Sequence, residues 1–211
     1  IIIFSPLIGA ITLLFKNEST NFLSSIIANS AIGVSMLLSS WLFISYLSGH
    51  NVNESHLIYT WYATRGYFFE IGLLIDSLTI VMAFIVTFIS FFVHMYSIAY
   101  MEGDPSFKRF FIYTNFFTFS MLFIIFSNNF LQLFIGWELV GLSSYLLIGF
   151  WYNKPSAVSA NLKAFVVNRV GDIGLLLGVI LILITSNSLN YVDFFEKLPL
   201  LKDSTVNFLG Y

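Results

Sequence analysis

The sequence predicts an all-α integral membrane protein of about six transmembrane helices, with a short β-hairpin in the loop after the second. Three observations carry that expectation. Hydrophobic residues make up 58% of the 211 positions and charged residues only 9%, against about 25% charged residues in soluble domains. Mean hydropathy is +0.87. Apolar runs near twenty residues long recur along the chain, and a helix of that length, rising about 1.5 Å per residue, crosses a bilayer.

The first run, residues 1–15, reads as the end of a span closed by polar residues 16–21. No basic segment or small-residue cleavage site precedes it, so no signal peptide is expected. Residues 22–47 form a second span, in which Ser24, Ala28, Ala31 and Ser35 recur at helical spacing and suit close helix contact. In the connection 48–75, LIYTWY and YFFEIGLLI are β-branched and aromatic runs separated by Ala-Thr-Arg-Gly, the pattern of a surface hairpin. Asp76-Ser77 caps a third span over residues 76–100. MEGDPSFKRF is a turn containing Gly103 and Pro105, and residues 110–126 and 130–152 follow as the fourth and fifth spans. Only Ser127-Asn128-Asn129 separates these two, so they are expected to be antiparallel neighbours. Lys154-Pro155 opens a sixth span, 157–185. Residues 186–211 read as a loop leading towards a seventh helix, with an interfacial helix at 191–198 stopped by Pro199. Apolar character rises again at NFLGY, so the expectation is a single membrane domain, 1–211, forming the N-terminal part of a longer polytopic protein. No soluble domain and no short-period repeat is expected.

Six spans alternate sides. Lys16, Lys108, Arg109 and Lys154 collect on one side, and Arg65, with Lys197 and Lys202 further out, on the other. The positive-inside rule puts the Lys16/Lys154 side in the cytoplasm or matrix. A net charge of −2 argues against a nucleic-acid surface. The absence of cysteine excludes thiolate-bound iron–sulfur clusters and zinc thiolate sites. His50 and His56 sit in the polar connection, leaving no pair of axial haem ligands. The chain is expected to carry no cofactor and no electrons itself.

Its chemistry is expected instead at ionisable residues inside the spans. Glu138 lies roughly 14 Å into the fifth span, near the bilayer midplane. A carboxylate there costs at least a few kcal/mol unless it faces protein or water, or is protonated. Gly136 and Gly141 flank it, where neighbouring backbone or water can approach. It is either a proton- or cation-handling group or a structural hydrogen bond to a neighbouring helix. The sixth span carries Lys163, Arg169 and Asp172. Glu138 is level with the last two on the antiparallel helix, and Arg169 and Asp172 share a helix face, so a local pair is expected, as charge relay or as structural ion pair. Lys163 points nearly opposite and can snorkel. His94, in the third span, suits proton transfer by its titration range, or hydrogen-bonds a neighbour.

GWELVGLSSYLLIGFWY, DSLTIVMAFIVTFISFFVHMYSIAYM and NRVGDIG resemble the subunit 5 family of NADH dehydrogenase, the distal antiporter-like subunits of respiratory complex I. The resemblance covers most of residues 76–177; Gly136-Trp137-Glu138 alone is shared with subunits of multisubunit cation/proton antiporters. It implies an antiporter-like helix bundle that moves protons through buried charges, Glu138 among them, while quinone is reduced in other subunits. The family glutamate works with a lysine on a seventh helix, beyond these residues. The complex it implies uses FMN, iron–sulfur clusters, NADH and ubiquinone. Implied partners are other membrane subunits of complex I, neighbouring antiporter-like subunits and lipids; the remaining helices belong to the same chain or are supplied by a second one. The implied location is the mitochondrial inner membrane, which abundant Phe and Ile (an AT-rich genome) would suit, with the bacterial plasma membrane as alternative.

Overall fold

Polar residues set the helix boundaries in the computed structural model, which describes residues 1–16, 20–50, 53–64 and 67–201. The chain forms helices α1 (Phe4–Phe15) and α2 (Asn21–Leu47), strands β1 (Glu54–Thr64) and β2 (Tyr67–Ile75), then helices α3 (Ser77–Tyr100), α4 (Phe107–Ile125), α5 (Phe130–Ile148), α6 (Pro155–Ser186) and α7 (Tyr191–Leu201). Asp76 Oδ1 accepts the Thr79 amide at 2.7 Å and Asn129 Oδ1 accepts the Gln132 amide at 2.8 Å. Each satisfies an amide that the first helical turn leaves without a backbone partner. Pro155 starts α6 where its missing N–H costs nothing. Asn187, at φ 56°, ends the same helix in the left-handed conformation.

Among the described residues four helices, α2, α3, α5 and α6, are long and apolar enough to cross a membrane. The other two long elements differ for separate reasons. α1 has 12 residues, fewer than the roughly 20 a span needs. α4 has 19 but is the more polar helix, and it packs against α1, α2, α3 and α5. Asn115 and Thr118 of α4 are buried: Asn115 Nδ2 donates to the Phe111 carbonyl, and the Thr118 hydroxyl lies 2.6 Å from that of Ser90. A central helix exchanges lipid for protein, so it needs less hydropathy than a peripheral one.

The expected small-residue face of α2 is buried at Ser24, Ala28 and Ser35. Ser35 donates to the Ile2 carbonyl, and Ser39 lies 2.5 Å from Thr87 of α3. Leu13, Ala28, Phe107, Phe111 and Phe150 make one core cluster; Ala83, Phe119, Leu122 and Phe126 anchor a second. The turn α4–α5 is as short as expected and makes these helices antiparallel neighbours. Gly136 lets them close: a Cβ there would lie 2.6 Å from Ile124 Cγ1 and 3.2 Å from the Ile124 amide nitrogen.

The hairpin expected after α2 is an antiparallel pair running from Glu54 opposite Ile75 to Thr64 opposite Tyr67, with two bulges. The free edge of β2 is stitched to the α4–α5 turn. Leu74 N–H donates to the Phe126 carbonyl, Gly72 N–H to Gln132 Oε1, and Asn129 Nδ2 to the Glu70 carbonyl. Such bonds cover an edge that would otherwise pair with another chain. Arg65 and Lys202, assigned to one membrane face by the charge count, lie outside the described residues. Pro199 does not end α7 as expected: the helix is described through Leu201 with the proline inside it. Near a helix end a proline displaces only one bond of the ladder.

Candidate functional site

Glu138 stands near the middle of the 19-residue α5, and antiparallel α6 brings Arg169 beside it. Arg169 Nη1 lies 2.8 Å from both Glu138 Oε1 and Oε2. The sequence placed these two level and paired Arg169 with Asp172; the structure keeps that pair at ion-pair distance and adds the inter-helix partner at a shorter one. Asp172 Oδ2 is 3.9 Å from the same nitrogen. A residue three positions along a helix shares its face but not its height, so a carboxylate reaching in from a packed neighbour meets the guanidinium more squarely. Glu138 is therefore not isolated on its apolar helix. The Arg169 guanidinium also lies 5.2 Å from the Phe165 ring centroid, a cation–π distance.

Asp172 is itself buried and takes its short hydrogen bond from elsewhere, the indole Nε1 of Trp137 at 3.1 Å. Trp137 was missed in the sequence. Its signal was there: a tryptophan N–H in an apolar span needs an acceptor, and a buried aspartate is level with it on the next helix. A cavity of about 250 Å³ opens beside the pair, lined by Glu138, Tyr145, Asn168, Arg169 and Asp172. Gly141 also lines it, and a Cβ at Gly141 would meet nothing within 4 Å. Of the approach by backbone or water expected at these glycines, a neighbouring helix comes close at Gly136, whereas Gly141 leaves room beside the cavity. Side-chain exposure is 28% for Glu138, 50% for Arg169 and 11% for Asp172. The cluster lies at an edge of the described bundle, with one carboxylate covered and the ion pair open.

The remaining candidates lie apart. Lys163 is exposed and forms no ion pair among the described residues. His94 is buried, and its Nδ1 lies 2.8 Å from the Ser90 carbonyl. It faces the Ser90–Thr118 contact between α3 and α4, not the Glu138 cavity. Among the described residues no group of three or more His, Asp or Glu could hold a metal ion.

At one end of the bundle the basic residues converge as the turn pattern implied. Lys108 donates to the Lys16 carbonyl, Arg109 Nη2 to the Phe150 carbonyl, and Lys154 Nζ lies 4.5 Å from the Trp151 ring centroid. Asp104 sits among them. Its carboxyl is held below the usual carboxylate range, first by the Trp151 indole N–H, then by the Ser106 amide, with Arg109 and Lys154 adding attraction.

Residues 61–111 match the family model described as NADH-ubiquinone oxidoreductase (complex I), chain 5 N-terminus, and residues 127–211 the one described as NADH:quinone oxidoreductase/Mrp antiporter, TM. NADH-quinone oxidoreductase subunit L of Neisseria meningitidis is 44% identical over 209 residues, covering 98% of this chain and 31% of its own length. NADH-ubiquinone oxidoreductase chain 5 of Dictyostelium citrinum is 42% identical over 207 residues, again 98% of this chain and 31% of the relative. The chain belongs to the chain 5/subunit L family of complex I. It spans about a third of the length of these family members. The family fold is also seen in a chain of the membrane-bound sulfane sulfur reductase, an archaeal respiratory membrane complex. That likeness has a TM-score of 0.76 at 21% identity and covers 92% of this chain and 38% of the other. Both family models contain parts of the structure just described: the α3–α4 region in the first, and α5, α6 and their charged cluster in the second.

Proposed function

We propose that this chain is a membrane subunit of a proton-pumping NADH:ubiquinone oxidoreductase, in which Glu138 takes up and releases protons during turnover. The observation that carries this is the Glu138–Arg169 pair: a carboxylate at the middle of a membrane-spanning helix, held by one cation and facing a cavity. A cation beside a buried carboxylate favours its charged form, and withdrawal of the cation favours protonation. Movement of positive charge towards or away from Glu138, with water completing the path, then drives uptake and release. Arg169 is the cation paired with Glu138, and Asp172 stands 3.9 Å from the same guanidinium nitrogen. No redox group in this chain enters the scheme. In this reading the other subunits would hold FMN and iron–sulfur clusters and supply the oxidation of NADH and the reduction of ubiquinone, to which this chain is coupled from a distance. The partners of the reading are the other membrane subunits, including neighbouring antiporter-like ones. Its location is the mitochondrial inner membrane, or the plasma membrane if the source is bacterial.

Glu138→Gln tests it in the assembled enzyme. Glutamine keeps the size and hydrogen-bonding capacity but cannot ionise, so the complex should assemble and lose proton pumping. Glu138→Asp, which keeps the acid one methylene back, should lose less. Wild-type proton-to-electron ratios in an assembled Glu138→Gln enzyme would reduce the residue to a packing element.

A second reading, a subunit of a multisubunit cation/proton antiporter, is favoured by the Mrp antiporter half of the matched family description. Proton movement driven by a sodium gradient in the absence of NADH would select it.

A further inference from the structure

One contact of the charged cluster has no part in that relay, the hydrogen bond from Trp137 Nε1 to Asp172 Oδ1 at 3.1 Å. The other oxygen of the same carboxylate lies 3.9 Å from Arg169 Nη1, whose 2.8 Å bonds go to Glu138. Resting on the reading of Glu138 as the relay carboxylate, we infer that Trp137 is a positioning residue: its indole N–H holds Asp172 back from Arg169 and so commits the guanidinium to Glu138.

The physical basis is competition for donors. A buried carboxylate needs donors for its oxygens, and a charge-assisted bond to a guanidinium is the strongest on offer. Asp172 is 8% exposed, so water is a poor substitute. The indole satisfies one of its oxygens and fixes its rotamer, leaving the second too far from Arg169 for a hydrogen bond. Trp137 and Glu138 are consecutive on α5, about 100° apart around the helix, while Arg169 and Asp172 are about 60° apart on α6. One turn of α5 thus presents an acid to the cation and a donor to the competing acid. Trp137 itself is 52% exposed, so core packing does not explain its place. Other charges on the elements packed against α5 stand elsewhere. Lys108 and Arg109 of α4 lie at the Phe150 end and Glu70 of β2 lies beside Asn129. Among the described residues Arg169 is the cation in contact with Glu138.

The test is Trp137→Phe in the whole assembled enzyme, which keeps an aromatic ring and removes the donor. A structure of that enzyme should show Arg169 within hydrogen-bond distance of Asp172 and released from at least one Glu138 oxygen. Proton pumping should fall about tenfold, the scale of one hydrogen bond to a charged group. Trp137→His, which retains a ring N–H, should keep Arg169 on Glu138 and restore most of the pumping. In an Asp172→Asn background the Trp137→Phe change should have little further effect, because the competing charge is gone. Arg169 still bound to both Glu138 oxygens in the Trp137→Phe structure would overturn the inference, as would an equal loss of pumping with and without Asp172→Asn. The structural arm reads the position of Arg169 directly. It stands even if Glu138→Gln pumps normally, in which case only the relay reading falls.

Discussion

Arg169 lies between two carboxylates, and their unequal distances order the consequences of removing each group. Arg169→Gln takes the cation from Glu138 and leaves that acid unpaired in the span. Breaking a dry buried pair this way costs about 3–5 kcal/mol; with the guanidinium half exposed the cost belongs below that range. Asp172→Asn leaves the 2.8 Å pair standing and still offers the indole an acceptor. Thermal melting of the purified complex should therefore show Arg169→Gln as the more destabilising change, and equal losses would mean that both acids share the cation. Asp104 makes a pH-dependent prediction at the same scale. Its carboxyl is depressed, so it contributes stability above the ordinary carboxylate value, about 3.9, and that contribution is lost as pH falls through the lower folded value. Protection of the Ser106 amide, taken relative to its intrinsic exchange rate, should hold at pH 5 and fall only below about pH 3.9. Asp104→Asn should remove that dependence.

The α4–α5 contact is decided by one absent side chain. A valine at Gly136 would drive its first carbon into Ile124, whose backbone nitrogen cannot yield. Overpacking of this kind costs about 1–3 kcal/mol, so Gly136→Val should lower the melting temperature of the complex and spread α4 from α5. Gly141→Ala, two residues past Leu139 on the same helix, meets open space and should melt as the wild type does. The sequence made these glycines look alike. What separates them is which neighbour each one faces, and that is a property of helix rotation rather than of composition. The same holds for α4, whose polar residues find their place only once α1, α2, α3 and α5 are packed around it.

Across the whole molecule the basic cluster of Lys16, Lys108, Arg109 and Lys154 marks one end, while the hairpin and the α4–α5 turn mark the other. The chain has no cysteine, so single cysteines can be placed without background. Thiol reagents added to the matrix or cytoplasmic face should label position 106 or 154, and reagents on the opposite face position 53 or 56. Labelling of 154 and 56 from the same face would contradict an odd number of crossings between them.

The sequence by itself determined the elements of this protein and their environment. Apolar runs of bilayer length, Asp76 at a helix start and the Ala-Thr-Arg-Gly break between two aromatic runs are local signals, legible because propensity, capping and hydropathy act within a few residues. It also placed Glu138, Arg169 and Asp172 at one depth, since rise per residue along antiparallel helices is fixed. Only the tertiary structure decided who pairs with whom. Whether Arg169 turns to Glu138 or Asp172, whether Trp137 finds an acceptor, and which glycine is filled all depend on the rotation of α5 and α6 about their own axes. The rotation of α5 is set by packing against α4 and that of α6 by packing against α5 and α7, not by any residue's own preference, because in a membrane helix nearly every face is apolar enough to point outward.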